Sequence, residues 1–258
     1  MVPVRRNVAW SASVPLLCLI AALVMPASAA AQQLPLSHCA PDQNTFTLTI
    51  DNAYFPLPVG AVWVYTGKEQ GDNLGLQISV LPETEPFRFG RGRNVTTRVV
   101  TEVEWADTDA DGEIDADEEL IELSRNYLAQ TQTGPAPGTV CYFGEDVDIY
   151  EDGEIVSHEG AWRADGRRRL PGRAPGIFMP ANAQPGMSFQ QEDAPGVAED
   201  QATILRTGTA TLPDDRVVNT LVVRDFNPLD GSRGTKVYGQ GVGLIEDGPL
   251  RLTRVEGV

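Results

Sequence analysis

Residues 107–118 read DTDADGEIDADE, and their side chains are dominated by hard oxygen donors. Asp107, Asp109 and Asp111 alternate with small residues, Gly112 and Glu113 follow, and Asp115 and Glu118 complete the run. Residues 107–119 hold eight carboxylates in thirteen positions. Such a segment repels itself unless a cation neutralises it. Carboxylate and carbonyl oxygens round a tight turn suit a hard divalent ion, whereas zinc and copper favour imidazole and thiolate. The competing reading is an acidic turn that water solvates with no specific ion.

The spacing resembles the twelve-residue calcium loop of EF-hand proteins. The resemblance implies Asp107, Asp109 and Asp111 as ligands at positions 1, 3 and 5, with Gly112 making the sharp turn at position 6. It further implies that Glu113 ligates through its carbonyl, Asp115 at position 9 through water, and Glu118 as the bidentate carboxylate at position 12. Ile114 takes position 8, where an apolar residue packs inward in that family. The flanks depart from the pattern. The incoming segment VTTRVVTEVEWA reads as strand, and Glu119 stands where an apolar residue is usual. The expectation is therefore Ca²⁺ held structurally in an EF-hand-like loop between β elements, with no helix–loop–helix opening.

Other chemistry is thinly represented. The two histidines, His38 and His158, stand apart, and no HExxH or CxxC spacing supplies a zinc site. No GxSxG elbow, P-loop or GxGxxG motif occurs. Acid pairs remain: Glu145–Asp146, Glu192–Asp193 and Glu199–Asp200. Two such carboxylates converging across a cleft could perform hydrolytic acid–base work. Aromatic residues Trp63, Tyr142, Phe143, Trp162 and Phe178 could instead line a cleft for a small molecule or lipid. Glu145, Trp162, Met179, Glu192 and Asp200 are the cleft candidates, and no catalytic set is assigned. Arg167, Arg168, Arg169 and Arg173 read as a solvated basic loop.

These residues must be positioned by strands. TFTLTI, AVWVYTG, LGLQISV, VTTRVVTEVEW, ATILRTGTATL, VVNTLVVRDF and TKVYGQGVGLI alternate or are β-branched, with glycine and proline between them. Asp152–Gly153 within YEDGEIVS marks a hairpin. ELIELSRNYLAQ fits a strand or a short helix, and helix should be minor, confined to about 116–126. The expected fold is all-β, an antiparallel sandwich or a strongly curved open sheet, forming one domain over 32–258.

Residues 1–31 read as a secretory signal: Arg5 and Arg6, the apolar VPLLCLIAALVM, then the small residues ASAAA, with cleavage fitting Ala29 or Ala31. The apolar core is short for a membrane span, so none is expected after cleavage. An exported chain meets an oxidising compartment, which makes Cys39 and Cys141 a natural disulfide, two separate buried thiols being the alternative. Net charge is −16, and −18 without the two leader arginines, which disfavours nucleic acid and anionic membrane surfaces. Periplasmic or extracellular export follows from the signal.

Five blocks resemble a family of exported bacterial β-rich proteins that carries no established activity. They are NAYFPLPVGAVWVY, CYFGEDVDIYEDGEIVSHEGAW, PGIFMPANAQPGMSFQQE, AEDQA and VYGQGVGLI. The resemblance implies a single secreted β domain over most of the chain. It also implies that the acidic loop is an insertion on a plainer β connection.

Overall fold

The computed structural model describes residues 32–116 and 118–257, so the secretory leader expected at 1–31 lies outside the described residues. β1 (Gln32–Gln33) and β2 (Thr45–Thr47) flank a 3-10 turn at Leu36–Cys39, and β3 (Asp51–Asn52) pairs with β4 (Phe55–Pro56) as a separate small hairpin. The long strands are β5 (Val62–Glu69), β6 (Asp72–Phe89), β7 (Arg93–Ala106), β8 (Leu120–Thr133) and β9 (Val140–Glu151). Four short ones follow: β10 (Glu154–Ser157), β11 (Trp162–Arg163), β12 (Gly176–Met179) and β13 (Met187–Gln190). The chain ends in a meander of β14 (Gln201–Thr211), β15 (Val217–Phe226), β16 (Arg233–Gly239), β17 (Gly243–Asp247) and β18 (Leu250–Glu256).

Period-2 alternation makes these strands. In β6, Leu74, Leu76, Ile78 and Val80 are buried while the intervening residues face the other way. Glycine with positive φ makes the turns. Asp152 (φ 52°) and Gly153 (φ 76°) form the β9–β10 hairpin at the expected place. The ambiguous segment is strand β8, because its alternate residues pair across β7 and β9. The helix expected at about 116–126 is absent: among the described residues the only helical turns are 3-10, at Leu36–Cys39 and Gly90–Gly92. Ladder bonds on both edges outweigh the helical reading of those apolar positions.

Sixteen strands join one sheet, running β1-β13-β14-β15-β16-β17-β18-β5-β6-β7-β8-β9-β10, and all the pairings except β1–β13 are antiparallel. The fold is all-β, and the single continuous ladder is the curved alternative, not a sandwich. Its curvature can be gauged from aromatic contacts. Tyr238 on β16 and Tyr142 on β9 are seven strand steps apart, about 34 Å on a flat sheet at ~4.8 Å per step. Yet Tyr238 and Phe55 centroids lie 6.1 Å apart, Phe55 and Phe178 4.5 Å, and Phe178 and Tyr142 5.5 Å. The sheet therefore curls until both halves share one core. β12, hanging from β9, meets the far edge: a Cβ on Gly176 would fall 1.7 Å from the Gln191 carbonyl oxygen just past β13. Arg173 N–H also donates to the Asp193 carbonyl at 2.8 Å, tying the two edges.

A second cluster packs outside β9. Arg163 is 1 % exposed, 3.9 Å above the Phe87 ring, and ion-paired to Glu85 (3.0 Å) and Asp165 (3.3 Å). Its guanidinium is thus fully compensated. Arg167 and Arg168 from the basic loop join Asp165, Glu85 and Asp146, so part of that loop is tied to the sheet.

Cys39 and Cys141 are bonded, with Cα atoms 5.6 Å apart and a sequence separation of 102. The bond fixes the 3-10 turn against β9. Constraining a loop of this length should contribute ~2–5 kcal/mol. Replacing both cysteines by alanine should lower the urea midpoint and steepen the slope, because the uncrosslinked unfolded chain exposes more surface; an unmoved midpoint would show that the bond restrains nothing.

Candidate functional site

The acidic loop is a β connection. Trp105 pairs with Leu120, and Ala106 N–H donates to the Glu119 carbonyl at 2.9 Å, so a ladder closes the neck and the described residues of the loop, 107–116 and 118, bulge from it. Gly112 (φ 74°) and Ala110 (φ 65°) take left-handed conformations that fold the loop on itself. Backbone N–H groups then aim the carboxylates inward. Thr108 and Asp115 N–H donate to Glu118 Oε1 (2.9 Å) and Oε2 (3.2 Å); Asp111 N–H donates to Asp109 (3.1 Å) and Glu113 N–H to Asp111 (2.7 Å).

Two overlapping sets of oxygens result. One ligand atom from each of Asp107, Asp109 and Glu118 lies within 4.8 Å of the others, and the same holds for Asp109, Asp111 and Asp115. The five carboxylates form a cluster able to hold a metal ion. Asp107 is 1 % exposed and the rest are more open, so the cluster has a rooted base and a wet rim. The Glu113 side chain turns away to an ion pair with Arg254 on β18, leaving its carbonyl free for the loop. Gly112 sits against Thr66 on β5, and Trp105 lies over Gly75 on β6, so the loop folds back over the outer face of the sheet. Ile114 is 43 % exposed and does not pack inward as the EF-hand resemblance implied, because no second loop pairs with it.

A second acidic constellation lies inside the curl. Directly paired residues share a face, so Glu104 and Glu122 sit beside one another, as do Glu102 and Ser124, and Asn126 and Glu145. On the opposite wall Lys236 reaches Asp225 (3.6 Å) and Asp247 (3.3 Å). Glu192 and Asp200, beyond β13 and before β14, complete the ring; Asp200 N–H donates to Glu192 at 3.3 Å. Burial pushes Glu102 up to about 7, with Asp247, Glu122 and Glu104 adding to the rise and Lys236 opposing it. Burial and Asp200 likewise push Glu192 up to about 7. Glu145 is raised well above the carboxylate range by burial and by the Glu192 charge. Lys236 is desolvated too, but Asp247 and Asp225 outweigh that and hold it charged.

The Tyr142 hydroxyl contacts both Asn126 Oδ1 and Glu145 Oε2 (2.9 Å). The hydroxyl thus links Asn126 on β8 to Glu145 on β9 inside the curl, and its donation to Glu145 works against the rise that burial imposes on that carboxyl.

The structure thus brings together three of the cleft candidates, Glu145, Glu192 and Asp200, with Trp162 beneath them at 0 % exposure. It separates Met179, which is core at 1 % exposure on β12. The aromatic residues pack on one another: Tyr142 lies 5.3 Å from Trp162 and 5.5 Å from Phe178, while Phe143 turns outward to Phe46 and Phe87. Only about 10 Å³ of free space lies beside Trp63. His158 is a surface residue beside Asp148 (2.8 Å). Glu102, Glu104, Glu122, Asp225, Lys236 and Asp247 were not legible as a site. The available signal was phase: Glu102 and Glu104 share the parity of buried Val100, and Lys236 that of buried Tyr238.

Comparison with known proteins adds no relative: no family model, no curated protein and no solved structure matches the chain.

The interior acids fix a pH dependence. Glu102 and Glu192 hold protons in the fold up to about 7, whereas the ordinary value is 4.5. Their contribution to stability is complete below the lower value, declines between the two, and is gone above the higher. In a chelating buffer the melting temperature should therefore rise by several degrees from about pH 7.5 to about pH 5. Glu102→Gln should raise it at the upper pH and flatten the profile. A melting temperature that falls on this acidification would contradict the desolvated cluster.

Proposed function

We propose that this is an exported calcium-binding β-protein in which one Ca²⁺, held by the β7–β8 loop, serves the structure. The observation that carries the reading is the order of the two overlapping carboxylate sets. Asp107, Asp109 and Glu118 are positions 1, 3 and 12 of an EF-hand loop, and Asp109, Asp111 and Asp115 are positions 3, 5 and 9. One ion touching both sets, with the Glu113 carbonyl, would meet six or more oxygens, the number calcium prefers. Two neighbouring anions, Asp109 and Glu118, beside a buried Asp107 would otherwise repel it without compensation.

The flanking strands argue against a switch. EF-hand sensors move helices, whereas here the neck is a β ladder continuous with the main sheet. Binding would instead rigidify the loop over Trp105 and tie it, through Glu113 and Arg254, to β18. Export is supported by the leader pattern in residues 1–31 and by the Cys39–Cys141 bond. Ambient calcium outside the cytoplasm is high enough for a site with Kd of ~10⁻⁴–10⁻³ M to stay filled. Membership of the exported β-rich family rests on the five sequence blocks and gives the loop the character of an added clamp.

Calorimetric titration should show one Ca²⁺ per chain, bound more tightly than Mg²⁺, with a rise in melting temperature. Asp107→Ala or Glu118→Ala should abolish the heat and the stabilisation while leaving the metal-free melting temperature within a few degrees. Absence of saturable calcium heat in the unsubstituted protein would overturn the reading. Trp105 offers an independent optical signal: its fluorescence should change on titration, and Trp105→Phe should remove the change but not the binding.

A further inference from the structure

The cluster round Arg163 carries more positive charge than the fold uses. Arg163 on β11, Arg167 and Arg168 from the loop that follows, and Arg88 near the end of β6 line one surface cleft of about 410 Å³, with Glu85 and Pro86 as its other walls. The loop is a built feature. Arg163 N–H donates to the Pro171 carbonyl at 2.8 Å, and a Cβ on Gly172 would fall 2.1 Å from the Arg163 carbonyl oxygen, so backbone closes its neck. Asp165, with a side chain 0 % exposed, accepts from the Arg167 N–H (3.2 Å) and, across the cleft, from the Arg88 N–H (3.0 Å). Arg168 (φ 56°) and Arg169 (φ 61°) are consecutive left-handed residues, a conformation disfavoured for side chains with a Cβ.

Pairing accounts for Arg163 but not for its neighbours. Arg163 Nε, Nη1 and Nη2 donate to Asp165 (3.3 Å), Glu85 (3.0 Å) and the Pro86 carbonyl (3.3 Å). Arg168 reaches Glu85 (2.7 Å) and Asp146 (3.5 Å), and Arg167 lies 3.9 Å from Asp165. Asp146 is shared in turn with the Tyr127 hydroxyl at 2.6 Å. Four guanidinium groups thus divide three carboxylates between them, and the Arg88 guanidinium has no acceptor among the described residues, only its backbone N–H being bonded. In a chain of net charge −16 this is a local excess of positive charge. Arg163 and Arg168 both use Glu85 Oε1, which leaves Glu85 Oε2 without a donor.

These properties select the kind of ligand. Excess guanidinium rejects amines and metal ions, and its forks match the paired oxygens of phosphate, sulfate and carboxylate. Pro86 is the one apolar residue of the lining, so lipid chains and aromatic rings find little surface, whereas Glu85 Oε2 offers an acceptor for a hydroxyl. The volume lies in the range of small-molecule sites. The acidity of the whole chain turns away extended polyanions, which a small anion at one cleft avoids. We propose that this cleft binds a small hydroxylated oxyanion of the acidic-sugar class, bearing phosphate, sulfate or carboxylate. Arg88, Arg167 and Arg168 hold the oxyanion above the fixed Arg163, and Glu85 accepts from a ligand hydroxyl. The inference is independent of calcium in the β7–β8 loop.

The test is calorimetric titration of glucose 6-phosphate, glucose 6-sulfate and glucuronate, with glucose and inorganic phosphate as separate controls, into the protein at low salt without added calcium. The Arg163 Nε–H resonance, which burial protects from exchange, is followed in parallel. One saturable site per chain is expected for at least one charged sugar, tighter than for either control, weakened by salt and accompanied by a shift of that resonance. The three charged sugars distinguish which oxyanion is preferred. Arg88→Gln and Arg167→Gln should each weaken binding about tenfold, whereas Arg251→Gln on β18 should leave it unchanged. Arg88 and Arg167 are exposed, so these variants should fold; should either not fold, the Arg163 resonance in the unsubstituted protein still decides. No saturable binding of any charged sugar, inorganic phosphate or glucose bound as tightly as the charged sugars, or an equal loss from Arg251→Gln would overturn the proposal.

Discussion

Among the described residues one long sheet has to bury most of its apolar side against itself, helped only by the small β3–β4 hairpin and short strands, and much else in this molecule follows from that. A flat ladder of thirteen successive strands would leave its apolar side in water. Curling solves the problem by letting β14–β16 serve as the lid for β7–β9. Bulges help the bend: register shifts interrupt the β6–β7, β8–β9, β14–β15 and β18–β5 pairings. Small β12 then caps the gap between the edges, and this needs Gly176, whose bare backbone touches Gln191.

The same constraint creates the acid cluster inside the curl. Once a strand's alternate residues are committed to the concave side, every residue of that phase goes inward, including Glu102 and Glu104 next to Val100. Filling these positions with acids loses stability that aliphatic side chains would have supplied. The loss is partly offset by proton retention at Glu102, Glu145 and Glu192, and by the charged Lys236 between Asp225 and Asp247. Compare Arg163 on the outer side, where one buried charge meets Glu85, Asp165 and an aromatic face. There the balance at Arg163 itself is complete. Among the acids inside the curl it is not.

How far the sequence spoke depended on the range of the interaction. Local rules were legible: Asp152–Gly153 needs only its own backbone to declare a hairpin, and the ligand order of residues 107–118 is contained in twelve residues. The Cys39–Cys141 pairing was legible because, with Cys18 inside the expected leader, two of the three cysteines are left for an oxidising compartment. The acid cluster inside the curl was not, because it joins β7, β8, β9, β15, β16 and β17, whose adjacency is decided only by the closure of the sheet. Glu145, Glu192 and Asp200 stood out as acid pairs, yet their real partners, Asn126, Tyr142 and Trp162, are set by register and not by spacing. The helix expected near 116–126 failed for the same reason, since apolar residues spaced ambiguously take the structure their neighbours offer.

Loop and inner acid cluster also stand in a defined relation. The neck of the loop, Ala106 and Glu119, continues the strands that carry Glu104 and Glu122, so both acidic sites hang from a single β7–β8 ladder. They nevertheless occupy opposite faces of it: the loop folds outward over Thr66 and Trp105, while Glu104 and Glu122 look into the curl. Opposite faces of one ladder can carry separate acidic clusters that share no residue. What they share is rigidity, because a neck held by an ion cannot fray, and a ladder that cannot fray keeps Glu104 opposite Glu122. The loop's metal would then act on the inner acids through backbone register alone, the one connection between the two sites that requires no charge to cross the sheet.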